Sequence, residues 1–462
     1  MSKLFLHKDM VKLYFQFLTR EELIDTISIL NSFCFQLLQD PFVWKYTSLS
    51  NLSSTHLWKI LKHFPLLPKL QINAEVLFTY QTKKENDLQT LINCLNKWTE
   101  LEFLKLENFL PQSLNLLFQN LSGKKKLKTL FINSRDGGND YSRKKKTPVI
   151  LNPCFVPNLE TLNVIGCYNN TLYFSLKGLS LFTNLTELKL LNVDLKPEEV
   201  YEITEVKKLK VLSLTDEIKT LSSFTQEVFP IHKLTCLKRL ILTHEGINYL
   251  SHFSSCSSLE LSHLFLLSCP EEIDYSFLKG PSFRKLESLC LSRIELERSF
   301  FQEILVELKQ LNKFQLKDFR FLEDAVEFFS SSSHSNTCIG VPSLTHLVLS
   351  NQTSFTHYDT IHSTRTFVEH LPFYFPNLQK LALEFLDLQA ENFKNLSLFK
   401  HLKVVGLNKL VNMENKYDCL LPLCKQVDQI TIHTKEKKEE ENTDPSLTKL
   451  KEELKKNNKY FN

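Results

Sequence analysis

Apolar residues recur along most of the chain in the order L-x-x-L-x-L, often followed two positions later by another apolar residue or a cysteine. Clean copies begin at Leu101, Leu159, Leu185, Leu261, Leu286 and Leu378. Looser copies begin at Leu67, Leu127, Leu209, Leu237, Leu311, Leu344, Leu402 and Val427. These 14 starts are mostly 24 to 28 residues apart, with four longer spacings of 32 to 34. The last two leucines of a copy stand two positions apart, so they project from one face of a short strand and their neighbours project from the other. Between copies the apolar period lengthens. Residues 299–310 place Phe301, Ile304, Leu305 and Leu308 at helical spacing. Residues 196–206 carry Pro197 near the start and two glutamates in the first turn, which suits a helix opening. One strand and one helix cannot cover their own apolar faces, whereas stacked copies can.

Strand plus helix at this period resembles the leucine-rich-repeat family. The resemblance implies an α/β solenoid of horseshoe form over residues 67–433, with a parallel inner sheet, outer helices and about 14 repeats. The polar stretches 134–148 and 330–342 read as exposed loops inserted between repeats. Residues 434–462 read as a charged tail, a solvated end or a cap docked on the last repeat, in which Leu447, Leu450 and Leu454 suggest a short helix after Asp444-Pro445.

The first 50 residues do not follow the repeat. Met10, Val11, Tyr14, Phe15 and Leu18 share one helical face. Thr19 then caps a second helix, and Glu22 completes its capping box. Leu23, Ile27 and Leu30 form that helix's face, and a third segment ends near Asp40-Pro41, where Trp44 can plug a small core. The order Leu6, Asp9, Met10, Val11, Leu18, Leu23, Leu30, Leu37, Asp40, Pro41, Val43, Trp44 resembles the F-box family, a three-helix head spanning residues 4–48 here. His7 stands where that family usually has proline, and Cys34 where it has an inner tryptophan. The resemblance implies a substrate-recognition adaptor without chemistry of its own. The head would hold the Skp-family linker of a cullin-based ubiquitin ligase through Leu6, His7, Met10, Val11, Tyr14 and Leu18. The repeats would hold a protein substrate. The alternative expectation is a repeat scaffold whose residues 1–66 only cap the first repeat, with 51–66 as linker and first solenoid helix.

Composition narrows the chemistry. Nine glycines in 462 residues, with no G-x-G-x-x-G and no phosphate-loop pattern, leave no basis for a nucleotide cofactor. The 11 cysteines include no C-x-x-C pair, and no apolar stretch is long enough to span a bilayer. Reduced thiols and a cytoplasmic or nuclear location follow as expectations, or host cytoplasm for a bacterial effector. His244, His252, Cys256, His263 and Cys269 contain half a zinc pattern without its partner pair, and Cys419 and Cys424 have no second pair. Structural roles are expected for all of these, with no metal and no cofactor. No nucleophile motif appears, so no catalytic residues are expected. The net charge of +4 is nearly balanced, and the basic runs at 123–128 and 142–146 read as solvated surface rather than a nucleic-acid site. One position between each leucine pair faces outward on the strand. In mid-chain these positions turn apolar, and Ile241, Phe265, Leu267 and Cys290 are the expected substrate footprint on the concave face.

Overall fold

The computed structural model describes residues 53–63, 67–78, 84–120, 123–134, 147–151, 153, 156–167, 172–195, 197–215, 230–243, 250, 258–267, 274–331, 341–352, 358–410, 417–433, 445–457 and 460–461. Two compact units divide the chain, Met1–Cys236 and Leu237–Asn462. The helical head expected at 1–50 and its residues Leu6, His7, Met10, Val11, Tyr14 and Leu18 lie outside the described residues. Among the described residues no helix is long and apolar enough to cross a membrane.

In the first unit the strands β1 (Lys69–Asn73), β2 (Phe103–Glu107), β3 (Thr129–Asn133), β5 (Thr161–Ile165), β7 (Glu187–Leu191) and β9 (Val211–Thr215) pair side by side, all parallel. The short strands β4 (Val149–Ile150), β6 (Leu172–Ser175) and β8 (Val193–Asp194) form a second parallel sheet. The leucine pairs hold the phase read from the sequence: Leu104 and Leu106, Leu188 and Leu190 are each at most 1% exposed. The helix Ser54–His63 buries Leu57, Ile60 and Leu61. It is tied to the first repeat by Trp98, fully buried, whose Nε1 donates to the Leu61 carbonyl at 3.2 Å.

The form of the outer element varies between repeats and is not fixed by repeat length, since the 24-residue spacing from Leu185 holds an α-helix and the 24-residue spacing from Leu378 a 3-10 turn. The 32–34-residue spacings in the second unit hold the α-helices Glu323–Ser331 and Tyr358–Tyr374. Spacings of 24–25 residues hold 3-10 turns at Ala390–Leu398 and Tyr417–Lys425. A 3-10 turn rises about 2.0 Å per residue against about 1.5 Å for an α-helix, so fewer residues cover the same span. Helices read from the sequence appear in two forms. Pro197–Thr204 is an α-helix as expected. Residues 299–310 instead form a π turn at Phe300–Ile304 running into a 3-10 turn at Leu305–Glu307, with Phe301, Ile304, Leu305 and Leu308 still buried.

A left-handed residue follows the fifth strand residue in six repeats: Asn108, Asn192, Arg293, Asp318, Phe385 and Lys409 have φ between 49° and 60°. Arg293 and Asp318 lie within β12 and β13, while Asn108, Asn192, Phe385 and Lys409 follow the ends of their strands and donate N–H to the next repeat's carbonyl at 2.6–3.0 Å. Gly166 occupies the equivalent position. A Cβ there would lie 2.0 Å from the Asn192 carbonyl oxygen and 2.9 Å from the Leu172 nitrogen. Both are backbone atoms, one of the next repeat's turn and one of the first residue of β6, so neither can swing away. Gly166→Ala is expected to destabilise the first unit by about 1–3 kcal/mol, the cost of overpacking a site that cannot relax. A urea midpoint unchanged from wild type would show that the turn yields.

The second unit continues the architecture with β10 (Arg239–Thr243), β11 (His263–Leu267), β12 (Ser288–Leu296), β13 (Lys313–Phe321), β14 (His346–Ser350), β15 (Lys380–Glu384), β16 (Val404–Asn408), β17 (Gln429–His433) and β18 (Tyr460–Phe461), paired in sequence order and all parallel. Beneath β12 and β13 the core is mainly phenyl. Phe300, Phe301, Phe319, Phe329 and Phe367 are each at most 1% exposed. The C-terminal segment, read from the sequence as a solvated end or a docked cap, folds against the last repeat. Helix Pro445–Lys456 buries Leu450 and Leu454 completely, and Ser446 Oγ accepts the Tyr417 N–H at 3.1 Å. After it, Tyr460 and Phe461 pair with Gln429 and Ile430. The segment is an added helix and strand that covers the last repeat. Both units thus build an α/β leucine-rich-repeat solenoid.

Candidate interaction surface

In each unit the strands bury their leucines on one face and leave alternate residues on the other, here termed the open face. In the first unit two of the open-face lysines are paired with acids of the same strand. Lys105 pairs with Glu107 on its own strand at 2.7 Å, and its Nζ lies 5.0 Å from the centre of the Phe131 ring. Lys189 pairs with Glu187 in the same way, and Gln71 Nε2 donates to Glu107 at 2.6 Å.

The open face of the second unit differs. Its middle row runs Ile241, Phe265, Cys290, Gln315, Val348, Ala382 in direct register across β10 to β15. Of the four footprint residues expected from the sequence, Ile241, Phe265 and Leu267 stand partly exposed on this face. Cys290 keeps the expected register but is only 1% exposed, so it forms floor between Phe265 and Gln315 rather than a contact point. Burial pushes its thiol up to about 11, with Lys317 and Lys313 acting the other way.

Two residues earlier on the same strands lies a second row: Arg239, His263, Ser288, Lys313, His346, Lys380. It contains no acid. Among the described residues Arg239, Lys313 and Lys380 make no ion pair, and Arg239 and Lys380 are exposed. The histidines register the resulting field. Burial, then Arg239 and Lys313, hold the His263 imidazole below the ordinary histidine value, with Glu287 opposing. Burial, then Lys380 and Lys313, do the same at His346. Their Nδ1 atoms meet hydroxyls, Ser262 Oγ at 2.9 Å and Thr345 Oγ1 at 2.8 Å. Of the outward residues in the first five positions of β10 to β15, Glu384 is the single acid. Sequence reasoning missed this row because it followed only the position between the leucines. The signal was present one step earlier, in the residue just before each second leucine.

Of the His/Cys group weighed for zinc, only His263 is among the described residues. Among those residues no three His, Cys, Asp or Glu side chains come together as a metal site would need. Cys419 and Cys424 are free thiols, each pushed up to about 11 by burial.

No known family model matches the chain. No curated protein matches it either. Among solved structures, an internalin from Listeria monocytogenes aligns at 14% identity with a TM-score of 0.32, over 80% of this chain and 88% of the internalin chain. A chain of the TLR13–ssRNA13 complex aligns at 15% identity with a TM-score of 0.45, over 82% of this chain and 51% of the TLR13 chain.

Proposed function

We propose that the chain is a non-catalytic interaction scaffold that holds a protein partner on the open face of residues 237–462. The observation carrying this reading is the pair of registered rows, one apolar and partly exposed, one basic and unpaired, on the same strands. Apolar surface bordered by charge is the usual anatomy of a docking patch. The raised thiols at Cys290, Cys419 and Cys424 support the non-catalytic part, because a thiol titrating near 11 is almost wholly protonated at neutral pH and a poor nucleophile. The test is enrichment of bound proteins by the full chain against Ile241→Asp/Phe265→Asp. The double variant is expected to lose its specific partners by about tenfold or more, as when central anchors are removed from an interface. A folded double variant that retains the same partners at the same level rejects this face.

A finer reading comes from the order of apolar residues in the head. In that reading the scaffold is an F-box adaptor, located in the cytoplasm or nucleus. Leu6, His7, Met10, Val11, Tyr14 and Leu18 grip a Skp-family linker joined to a cullin, and the open face grips the ubiquitination substrate. The full chain should then capture a purified Skp-family linker, and Leu6→Ala/Met10→Ala/Tyr14→Ala should abolish capture. Failure of the folded wild-type chain to bind leaves the scaffold reading without its ligase role.

A further inference from the structure

The second unit sets five basic side chains in one line. Adjacent strands lie about 4.8 Å apart, so the six registered positions from Arg239 to Lys380 span about 24 Å. An extended chain covers that distance in about seven residues. The row holds no carboxylate, and its three permanent cations carry no ion pair among the described residues. Charges on the first unit's open face are treated differently, since Lys105 and Lys189 each have a glutamate on their own strand. A line of cations without ion pairs, where Lys105 and Lys189 of the first unit have theirs, places a demand for negative charge on whatever docks there. About 6.6 Å away along the strands, two residues on, runs the row of Ile241, Phe265 and Val348.

We infer that the line of Arg239, His263, Lys313, His346 and Lys380 receives an extended acidic segment of a partner protein, whose apolar side chains rest on Ile241, Phe265 and Val348. The inference rests on the proposal that partners dock on this open face, and adds the chemistry of the docked segment. An acidic segment supplies the missing carboxylates. Its apolar residues cover the neighbouring row, which a uniformly polar chain would desolvate without return. The other polyanion to weigh is single-stranded nucleic acid, which binds by stacking bases on successive aromatic rings. Besides the two histidines, Phe265 is the only aromatic residue among the outward positions of β10 to β15, so the face offers no stacking ladder.

The test uses the full chain and a dye-labelled peptide of alternating glutamate and leucine, read by fluorescence anisotropy. A glutamine–leucine peptide and a single-stranded DNA oligonucleotide serve as comparison probes. The glutamate peptide is expected to bind about tenfold tighter than the glutamine peptide, and more weakly as salt is raised. Lys313→Glu/Lys380→Glu should weaken it by about tenfold or more, and Lys313→Gln/Lys380→Gln by less. Melting curves of both variants keep a folding defect from posing as lost binding. Equal affinity for the two peptides, no binding of either, or tighter binding of the oligonucleotide overturns the inference. If those results occur while Ile241→Asp/Phe265→Asp still strips the scaffold of its partners, the docking face stands and only its acidic preference falls. If that double variant loses nothing, the broader proposal fails first.

Discussion

Phe329→Ala is expected to cost the second unit about 3–5 kcal/mol, the range for deleting a fully buried phenyl. Phe329 has no exposed surface. Its ring centre lies 4.8 Å from Phe367, 5.1 Å from Phe301, 5.2 Å from Phe321, 5.4 Å from Tyr374 and 5.7 Å from Phe328. These partners come from a strand, two helices and the π turn, so the ring is where four outer and inner elements meet. Edge-on geometry with Phe301 and Phe321, at 76° and 82°, adds about 0.5–1.5 kcal/mol per pair to plain burial. These increments share one ring and do not simply add. The cavity will not close easily, because Tyr374 is pinned by its hydroxyl to the Phe329 carbonyl at 3.0 Å, a bond the alanine variant keeps. Amide exchange over residues 288–375, compared with wild type, reads the loss where it occurs. A change below about 1 kcal/mol would mean that the neighbouring rings collapse into the gap.

The strands were the most legible part of the fold. A leucine pair two positions apart can satisfy only one face, and pairs such as Leu264 and Leu266 or Leu381 and Leu383 are buried as that rule requires. The outer elements were legible as apolar stripes but not as helix types, because spacings of equal length wind differently: 24 residues from Leu185 hold an α-helix, 24 from Leu378 a 3-10 turn. The left-handed residue after the fifth strand position in six repeats was half visible. Asn108, Asn192 and Asp318 are residues that tolerate positive φ, but Arg293, Phe385 and Lys409 occupy the same geometry without announcing it. The terminal strand was invisible, since Tyr460–Phe461 is too short to show any period. On the candidate surface, Ile241, Phe265 and Leu267 were found because they interrupt a mostly polar series. The basic row was not, because its members are at least 24 residues apart in sequence and only the register of the sheet assembles them. Charge that is conspicuous along the chain and charge that is concentrated in space are different quantities.

The run 123–128 shows the converse error, and Lys124→Met is the variant that exposes it. Read locally, this run is solvated surface, where a substitution typically changes stability by no more than about 0.5 kcal/mol. In the structure Lys124 is 3% exposed. Its Nζ donates to the carbonyls of Leu95 at 2.6 Å, Trp98 at 3.0 Å and Asn96 at 3.2 Å. Leu95 and Asn96 end the helix Lys84–Asn96, so the ammonium meets carbonyls at the negative end of the helix dipole. Burial draws its pKa below the usual lysine value. Methionine fills the same stem volume but donates nothing, so the Asn96 and Trp98 carbonyls lose their donor while the Leu95 carbonyl keeps the Trp98 N–H at 2.9 Å. Each unsatisfied buried group costs about 1–3 kcal/mol, and partial hydration at the helix end reduces the total, so about 2–4 kcal/mol is expected. Lys125→Met, one residue on and exposed, should fall within about 0.5 kcal/mol of wild type. All three tryptophans, Trp44, Trp58 and Trp98, belong to the first unit, and Trp98 supplies one of the three acceptors. A urea melt followed by tryptophan fluorescence therefore reads this unit directly. Equal midpoints for the two lysine variants would return the run to ordinary surface. A midpoint lowered only by Lys124→Met would establish that one lysine of a basic run closes the first helix of the repeats.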